Sequence, residues 1–369
     1  MFWYIVICAL MLYPMSVVYA GKLSGKKTQP FALGIACTIL WFFMAMRDLS
    51  VGVDTKYYGY VFSQFKNIPM HEVLSAVTYA TETKNWAFDF EPGYRLLNKL
   101  LSFLSSAPQA ITIVNSLMTL VLVYVLIRRN SSDYMLSIWL YITLGVYQTQ
   151  MNVTRNAIAI MLVYNVFCYL KEGAWKKYTL YCLAAATIHS AALLFIPMYW
   201  FFRKVEMNRR NMGRILLIAG GVSVLFPLVR PFLMMLLPGK LDMYLSGSGV
   251  DLGALIVGVF YAVLFCFVCS FMTRRERRRV LAECNPGVHM FVMNMSLFCL
   301  TLSLKYAARM AGLFGPYLII LLPQMLERIE SPERRKMVRT AVFLLCGCQY
   351  VMRLCINNIG GTMPYQFFW

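Results

Sequence analysis

Apolar runs of about twenty residues, the length that crosses a hydrocarbon core as an α-helix, recur from one end of this chain to the other. Residues 2–20, 31–46, 108–127, 134–150, 154–170, 213–237, 252–273, 288–304, 308–326 and 340–355 each read as one span. The interval Tyr178–Phe202 is long enough for a crossing, yet basic clusters flank both its ends. It therefore reads as two short helices that meet near His189, a broken or re-entrant pair. Counting that pair, the pattern predicts about 12 transmembrane helices. Backbone in lipid must satisfy its own hydrogen bonds, and continuous apolar runs select helices over the alternating pattern of a barrel. The expected fold is an all-α polytopic membrane protein, with residues 1–369 forming a single transmembrane domain.

Polar positions interrupt this pattern at length once, over residues 47–107, between the second and third spans. The stretch opens with RDLSVGVDTKYYGYVF at Arg47 and later carries DFEPGYRLL at Asp89. Tyr57, Tyr60 and Phe65 recur near helical spacing and predict a short interfacial helix. Pro92 suits the first position of a second helix, whose apolar face is Leu96, Leu97, Leu100, Leu101 and Leu104. Residues 47–107 are thus expected to be an external loop with interfacial helices.

Composition agrees: 60% of the 369 residues are hydrophobic and 14% charged. A net charge of +19 suggests nucleic acid at first. The basic residues, however, gather in short clusters between apolar runs, as cytoplasmic loops require, which argues against a nucleic-acid partner. The bias places Lys22, Lys26 and Lys27, Lys171, Lys176 and Lys177, RRERRR at Arg274–Arg279 and ERIESPERRKMVR from Glu327 inside. Both termini are then extracytoplasmic. No basic residue precedes the first run, so it reads as a retained span rather than a cleaved signal. The loop from Arg47 to Arg95 falls outside, where its six acids against five bases fit. The eleven cysteines lie mostly within apolar runs, as in Cys266–Cys269 and Cys346–Cys348, and read as packing groups.

Orientation now makes the outer basic residues informative: Arg47, Arg95, Arg155, Arg230, Lys305, Arg309 and Arg353 stand where the bias disfavours them. An arginine at a helix centre costs roughly 3 kcal/mol on insertion scales, so it faces a polar cavity or partner unless it snorkels to the interface. In QTQMNVTRNAIAI, Arg155 follows Gln148, Gln150 and Asn152. In SLKYAARMAGLFGPY, Lys305 and Arg309 stand four apart with Tyr306 beside them. Guanidinium forks suit phosphate oxygens, as a pyrophosphate leaving group requires. His189 is a proton acceptor or phosphate donor, or else a neutral core histidine bonded to a carbonyl. Asp54 and Glu91 are the carboxylates placed for general-base work, with a surface ion pair or a helix N-terminal charge as the alternative. Tyr57, Tyr58 and Trp86 stack on sugar faces or anchor at the interface. No His or Cys has the spacing of a metal site, and no cofactor is expected.

These motifs, in their order, resemble the EpsG group of Wzy-like bacterial polysaccharide polymerases: GVDTxxY after the second span, EPGYxxLN, RNAIA, IHSAALL, and R-x-x-x-LFGPY. The resemblance implies a multi-pass enzyme of the bacterial inner membrane, similar to class C glycosyltransferases and independent of metal. Its donor would be an undecaprenyl-pyrophosphate-linked oligosaccharide whose repeat units it joins on the outer face. It also implies membrane lipids, a flippase and chain-length regulator proteins as partners. By position the family pattern maps onto Asp54, Tyr58, Glu91, Tyr94, Arg155, His189 and Arg309. Arg47, Arg95, Asn152, Lys305 and Tyr306, with Tyr58 and Tyr94, complete the expected substrate contacts. A transporter or flippase of the same lipid-linked sugar is the alternative function.

Overall fold

A computed structural model of the chain describes residues 2–19, 28–74, 90–236, 251–356 and 358–369. Trp86, the lysines between the first two spans and most of the loop at 238–251 lie outside the described residues. Among those described the chain is helical, and an isolated antiparallel bridge joins Arg47 to Phe367. Five helices are long and apolar enough to cross a membrane: Gln109–Asn130, Arg209–Phe232, Leu252–Ser270, Ala307–Glu327 and Pro332–Leu354. Shorter apolar helices include Gln29–Ala45, Tyr134–Thr143 and Gly287–Leu300. Along Arg209–Phe232, Leu217, Val224 and Leu228 are each more than 75% exposed, an arrangement at home only where lipid covers it. The chain is a multi-pass membrane protein.

The described residues fall into two compact units, residues 1–199 with 345–369, and residues 200–344. In the first unit the helices Thr28–Ala45, Gln109–Asn130 and Thr154–Asn165 pack side by side. The C-terminal segment folds back onto the turn after Ala45. Gly52 and Val53 donate to the carbonyls of Gly361 and Gly360 at 3.0 and 3.1 Å, and Asp48 N donates to Gln366 O at 2.8 Å. The Trp3 and Phe367 rings lie 5.0 Å apart, so both ends of the chain and the turn from Arg47 share one end of this unit.

The expected span at 134–150 is broken. Helix Tyr134–Thr143 stops, Gly145 adopts φ 75°, and a second helix runs Val146–Asn152. A side chain at Gly145 would meet Arg353 Nη1 at 2.9 Å, and that same Nη1 donates to Leu144 O at 3.1 Å. An arginine from the last helix thus satisfies a carbonyl that the break frees. The break near His189 does occur: helix Trp175–Ala186 ends, a 3₁₀ turn spans Ser190–Leu194, and helix Phe195–Lys204 follows.

The described parts of the polar loop, 47–74 and 90–107, form short helices. The expected short helix occurs at Thr55–Gln64: it buries Tyr58, Val61 and Phe62, Phe65 follows buried at its end, Tyr57 packs against them, and Tyr60 is exposed. Helix Pro92–Ser102 begins at Pro92 as expected. It buries Tyr94, Arg95, Asn98 and Lys99, packs Leu97 and Leu101 against the apolar cluster of Tyr58, Phe62 and Phe90, and leaves Leu100 and Leu104 exposed. Lys99 Nζ donates to Phe65 O at 3.0 Å and so caps the negative end of the neighbouring helix.

In the second unit small residues allow close approach. A Cβ on Gly258 would lie 2.7 Å from the Phe298 ring, and Phe265 stacks on Phe291 at 4.2 Å. Helix Arg274–Glu283 starts with a capping box between Thr273 and Glu276. Glu276 is fully buried and also accepts from Glu330 N at 2.8 Å and Arg334 Nη2 at 3.2 Å. Burial pushes its carboxyl up, but the amides of Glu330 and Thr273 and the Arg334 charge outweigh that and hold it below the usual range.

Candidate functional site

The turn after Ala45 brings its residues against the helix Val146–Asn152. Gly52 adopts φ 100°, which a side chain rarely tolerates, and the next turn delivers Asp54 to Asn152, whose Oδ1 accepts from Asp54 N at 2.8 Å. Asn152 therefore positions Asp54 through the backbone. Asp54 is half-buried at the N-terminus of helix Thr55–Gln64, and its charge lies close enough to Tyr58 to raise that phenol.

Three elements far apart in sequence meet at Glu91. Its Oε2 accepts from Arg155 Nη1 at 2.6 Å and its Oε1 accepts from Ser190 N at 2.9 Å. Both carboxylate oxygens are thus engaged, one by a charge-assisted bond and one by the turn that follows His189. His189 Nδ1 accepts from Ala191 N at 3.1 Å, so the neutral ring carries its proton on Nε2, where it can donate.

Aromatic rings enclose the guanidinium. Arg155 Cζ lies 4.2 Å from the Phe90 ring centroid and 5.7 Å from those of Tyr58 and Tyr94. Cation–π attraction adds to the ion pair, and the rings exclude water from one side of it. Arg155 and Glu91 keep 16% and 19% of their side chains exposed, so the pair is partly enclosed yet reachable. Arg155 Nε is buried and has no acceptor among the described residues. Burial raises the phenols of Tyr58 and Tyr94, which keeps both hydroxyls neutral. Tyr94 OH accepts from Asn115 Nδ2 at 2.7 Å.

Gly93 allows helix Pro92–Ser102 to dock. A Cβ there would meet Thr187 Oγ1 at 2.3 Å and Thr187 O at 2.9 Å, while Tyr94 N donates to that same carbonyl at 3.1 Å. Gly93→Ala is therefore expected to cost about 1–3 kcal/mol as an overpacked contact and to loosen Glu91 from Ser190. Thermal unfolding in detergent checks this. Adding Thr187→Ser, which keeps the hydroxyl, should not restore stability, whereas Thr187→Ala should restore part of it.

Of the other expected contacts, those in the first unit are engaged in its packing. Arg47 is 1% exposed; its Nη2 donates to Met151 O at 2.8 Å, and its Nη1 donates to Met44 O and, at 3.4 Å, to Ser116 Oγ. It ties carbonyls from two helices together and presents no face to a ligand. Arg95 is 2% exposed on the buried side of helix Pro92–Ser102, where burial lowers its pKa and Glu91 opposes the shift. Gln148 and Gln150 turn inward to Tyr350 and Tyr141 hydroxyls. Lys305, Tyr306 and Arg309 belong to the second unit, with both cations exposed and the Arg309 guanidinium 5.2 Å from the Tyr306 ring centroid. Among the described residues no three His, Cys, Asp or Glu side chains gather in a way that could hold a metal ion.

Sequence reasoning missed Phe90, Asn115, Thr187 and Ser190. One signal was readable: Thr112, Asn115, Ser116 and Thr119 recur at helical spacing inside an apolar run, and all four are buried. A polar stripe on a membrane helix marks the side that faces protein rather than lipid.

The fold and site define a multi-pass helical membrane protein with a partly exposed ion pair, Arg155–Glu91, set against aromatic rings. The family model of EpsG matches residues 31–367, nearly the whole chain. The chain therefore belongs to the EpsG family, a Wzy-like polysaccharide polymerase family of glycosyltransferase-type enzymes that act on lipid-linked oligosaccharides. Comparison with curated proteins and with solved structures returned no match.

Proposed function

We propose that this protein joins undecaprenyl-pyrophosphate-linked repeat units on the extracytoplasmic face of the bacterial inner membrane, with Arg155 receiving the charge of the leaving pyrophosphate. The observation that supports the reading is Arg155 itself: aimed by Glu91, walled by three aromatic rings, and left with a buried Nε–H that no described residue accepts. A guanidinium held this way needs no rearrangement when charge develops on phosphate oxygens. The His189 Nε2 proton is a second donor to the same oxygens. Glu91, with both oxygens engaged, orients Arg155 in this reading, and Asp54, at the start of the neighbouring helix, takes the proton of the acceptor. In this reading a sugar hydroxyl attacks the anomeric carbon and gives its proton to Asp54. The bond to the phosphate oxygen breaks, and its electron pair leaves with the pyrophosphate. Tyr58 and Tyr94 offer ring faces beside the pair.

Asp54→Asn in a cell that makes the repeat unit tests this, with polymer sized on gels and lipid-linked units assayed by membrane face. A lost general base is expected to slow chain growth by about 10²–10⁴-fold while single units accumulate outside. Accumulation on the inner face instead would make the protein a flippase. Unchanged chain growth would remove Asp54 from the chemistry.

A further inference from the structure

The second unit holds a cleft of about 740 Å³ where the start of helix Arg209–Leu236, the end of helix Leu252–Ser270 and the helix Arg274–Glu283 converge. Arg209, Arg210, Arg274, Arg277 and Arg278 line it, and no acid does. The acids of the last helix and of the segment beside it are committed elsewhere: Glu276 to Arg334 and two backbone amides, Glu283 to Arg328 at 2.9 Å, Glu330 to Arg279 at 2.8 Å. None of the five lining arginines has an ion-pair partner among the described residues. Five like charges around one space repel each other, and a bound anion relieves that repulsion.

The rest of the wall is apolar. Met212, Phe265 and Leu281 line it, and it opens onto two helices that are apolar enough to cross a membrane and carry exposed Leu217, Ile218, Val259 and Val263. The cleft therefore sits at a bilayer surface, with charge at its rim and hydrocarbon-compatible surface leading away from it. A soluble anion matches only the first part of that wall. We propose that this cleft binds an anionic phospholipid of the surrounding bilayer, its phosphate held by Arg274, Arg277 and Arg209 and its acyl chains lying along the two spanning helices. Guanidinium forks match the phosphate oxygens, and basic pockets between membrane helices are where such headgroups are recognised. The proposal does not depend on the reading of Arg155, and its readout is binding rather than polymer formation.

The test uses the full-length protein in phosphatidylcholine nanodiscs with phosphatidylglycerol titrated in, and native mass spectrometry to count retained lipids. The wild type is expected to retain phosphatidylglycerol over phosphatidylcholine. Arg274→Gln with Arg277→Gln should weaken that retention by about 25-fold, at about fivefold per arginine. Lysine at both positions should recover most of it. Arg209→Gln with Arg210→Gln is the second variant, should the first not run as a monodisperse species. Equal retention by the monodisperse variant and the wild type would overturn the proposal. So would displacement of the lipid by inorganic phosphate at matched concentration, which would mark a pocket for soluble anions.

Discussion

Arg155→Ala is expected to abolish long-chain polymer while leaving folded protein in the membrane and single repeat units outside. Removing one preorganised donor to a developing oxyanion costs on the order of 10²–10³ in rate, and here the lost group carries full charge as well. Arg155→Lys keeps the charge but gives up the planar fork and its stacking on Phe90, so it should recover only a small part. Glu91→Gln can still accept from Ser190 N but loses the ion pair, and it should reduce activity less than Arg155→Ala does. Polymer length on gels, normalised to protein in the membrane, gives all three answers. Full-length polymer from Arg155→Ala would end the assignment.

The second large effect falls on stability. Arg47→Met should deplete folded protein and lower its thermal transition in detergent, because it strands the Met44 and Met151 carbonyls in a buried place. Each unsatisfied carbonyl costs about 1–3 kcal/mol. The contrast with Arg155 is the informative part: one arginine should remove the protein, the other only its product. If Arg47→Met melted like the wild type and made no polymer, Arg47 would move from the framework to the site.

These two arginines read alike in the sequence, each a cation where the charge bias disfavours one. What separates them is the neighbour that the fold supplies. Arg47 meets carbonyl oxygens at helix ends, while Arg155 meets a carboxylate brought from 64 residues away. Nothing in QTQMNVTRNAIAI names Glu91 as the partner, and nothing in DFEPGYRLL says that its acid will be held by an amide after His189. The sequence offers Glu91 as a base or as an ion-pair partner, and the structure pairs it with Arg155.

The helix Pro92–Ser102 divides along the same line. Pro92 at its start and the leucine spacing made its existence legible, since helical period and a fixed φ are local properties. Which residues it buries was not local: Arg95, Asn98 and Lys99 go in beside Leu97 and Leu101, while Leu100 and Leu104 stay out. The break at Gly145 escaped for a similar reason. A glycine in an apolar run is common, and it is Arg353 from the last helix that occupies the gap there.

By itself, then, the chain's alternation of apolar runs and basic clusters determined an all-helical membrane protein, the short helices that start at Thr55 and Pro92 and the break at His189, because hydrophobic burial and backbone hydrogen bonding act over a turn or two. Only the tertiary structure decided that Glu91 and Arg155 form a pair within an aromatic enclosure and that Arg47 does not join them. The energy of a charge inside a protein depends on which polar groups lie within a few ångströms, and those groups come from elements whose meeting no local pattern encodes.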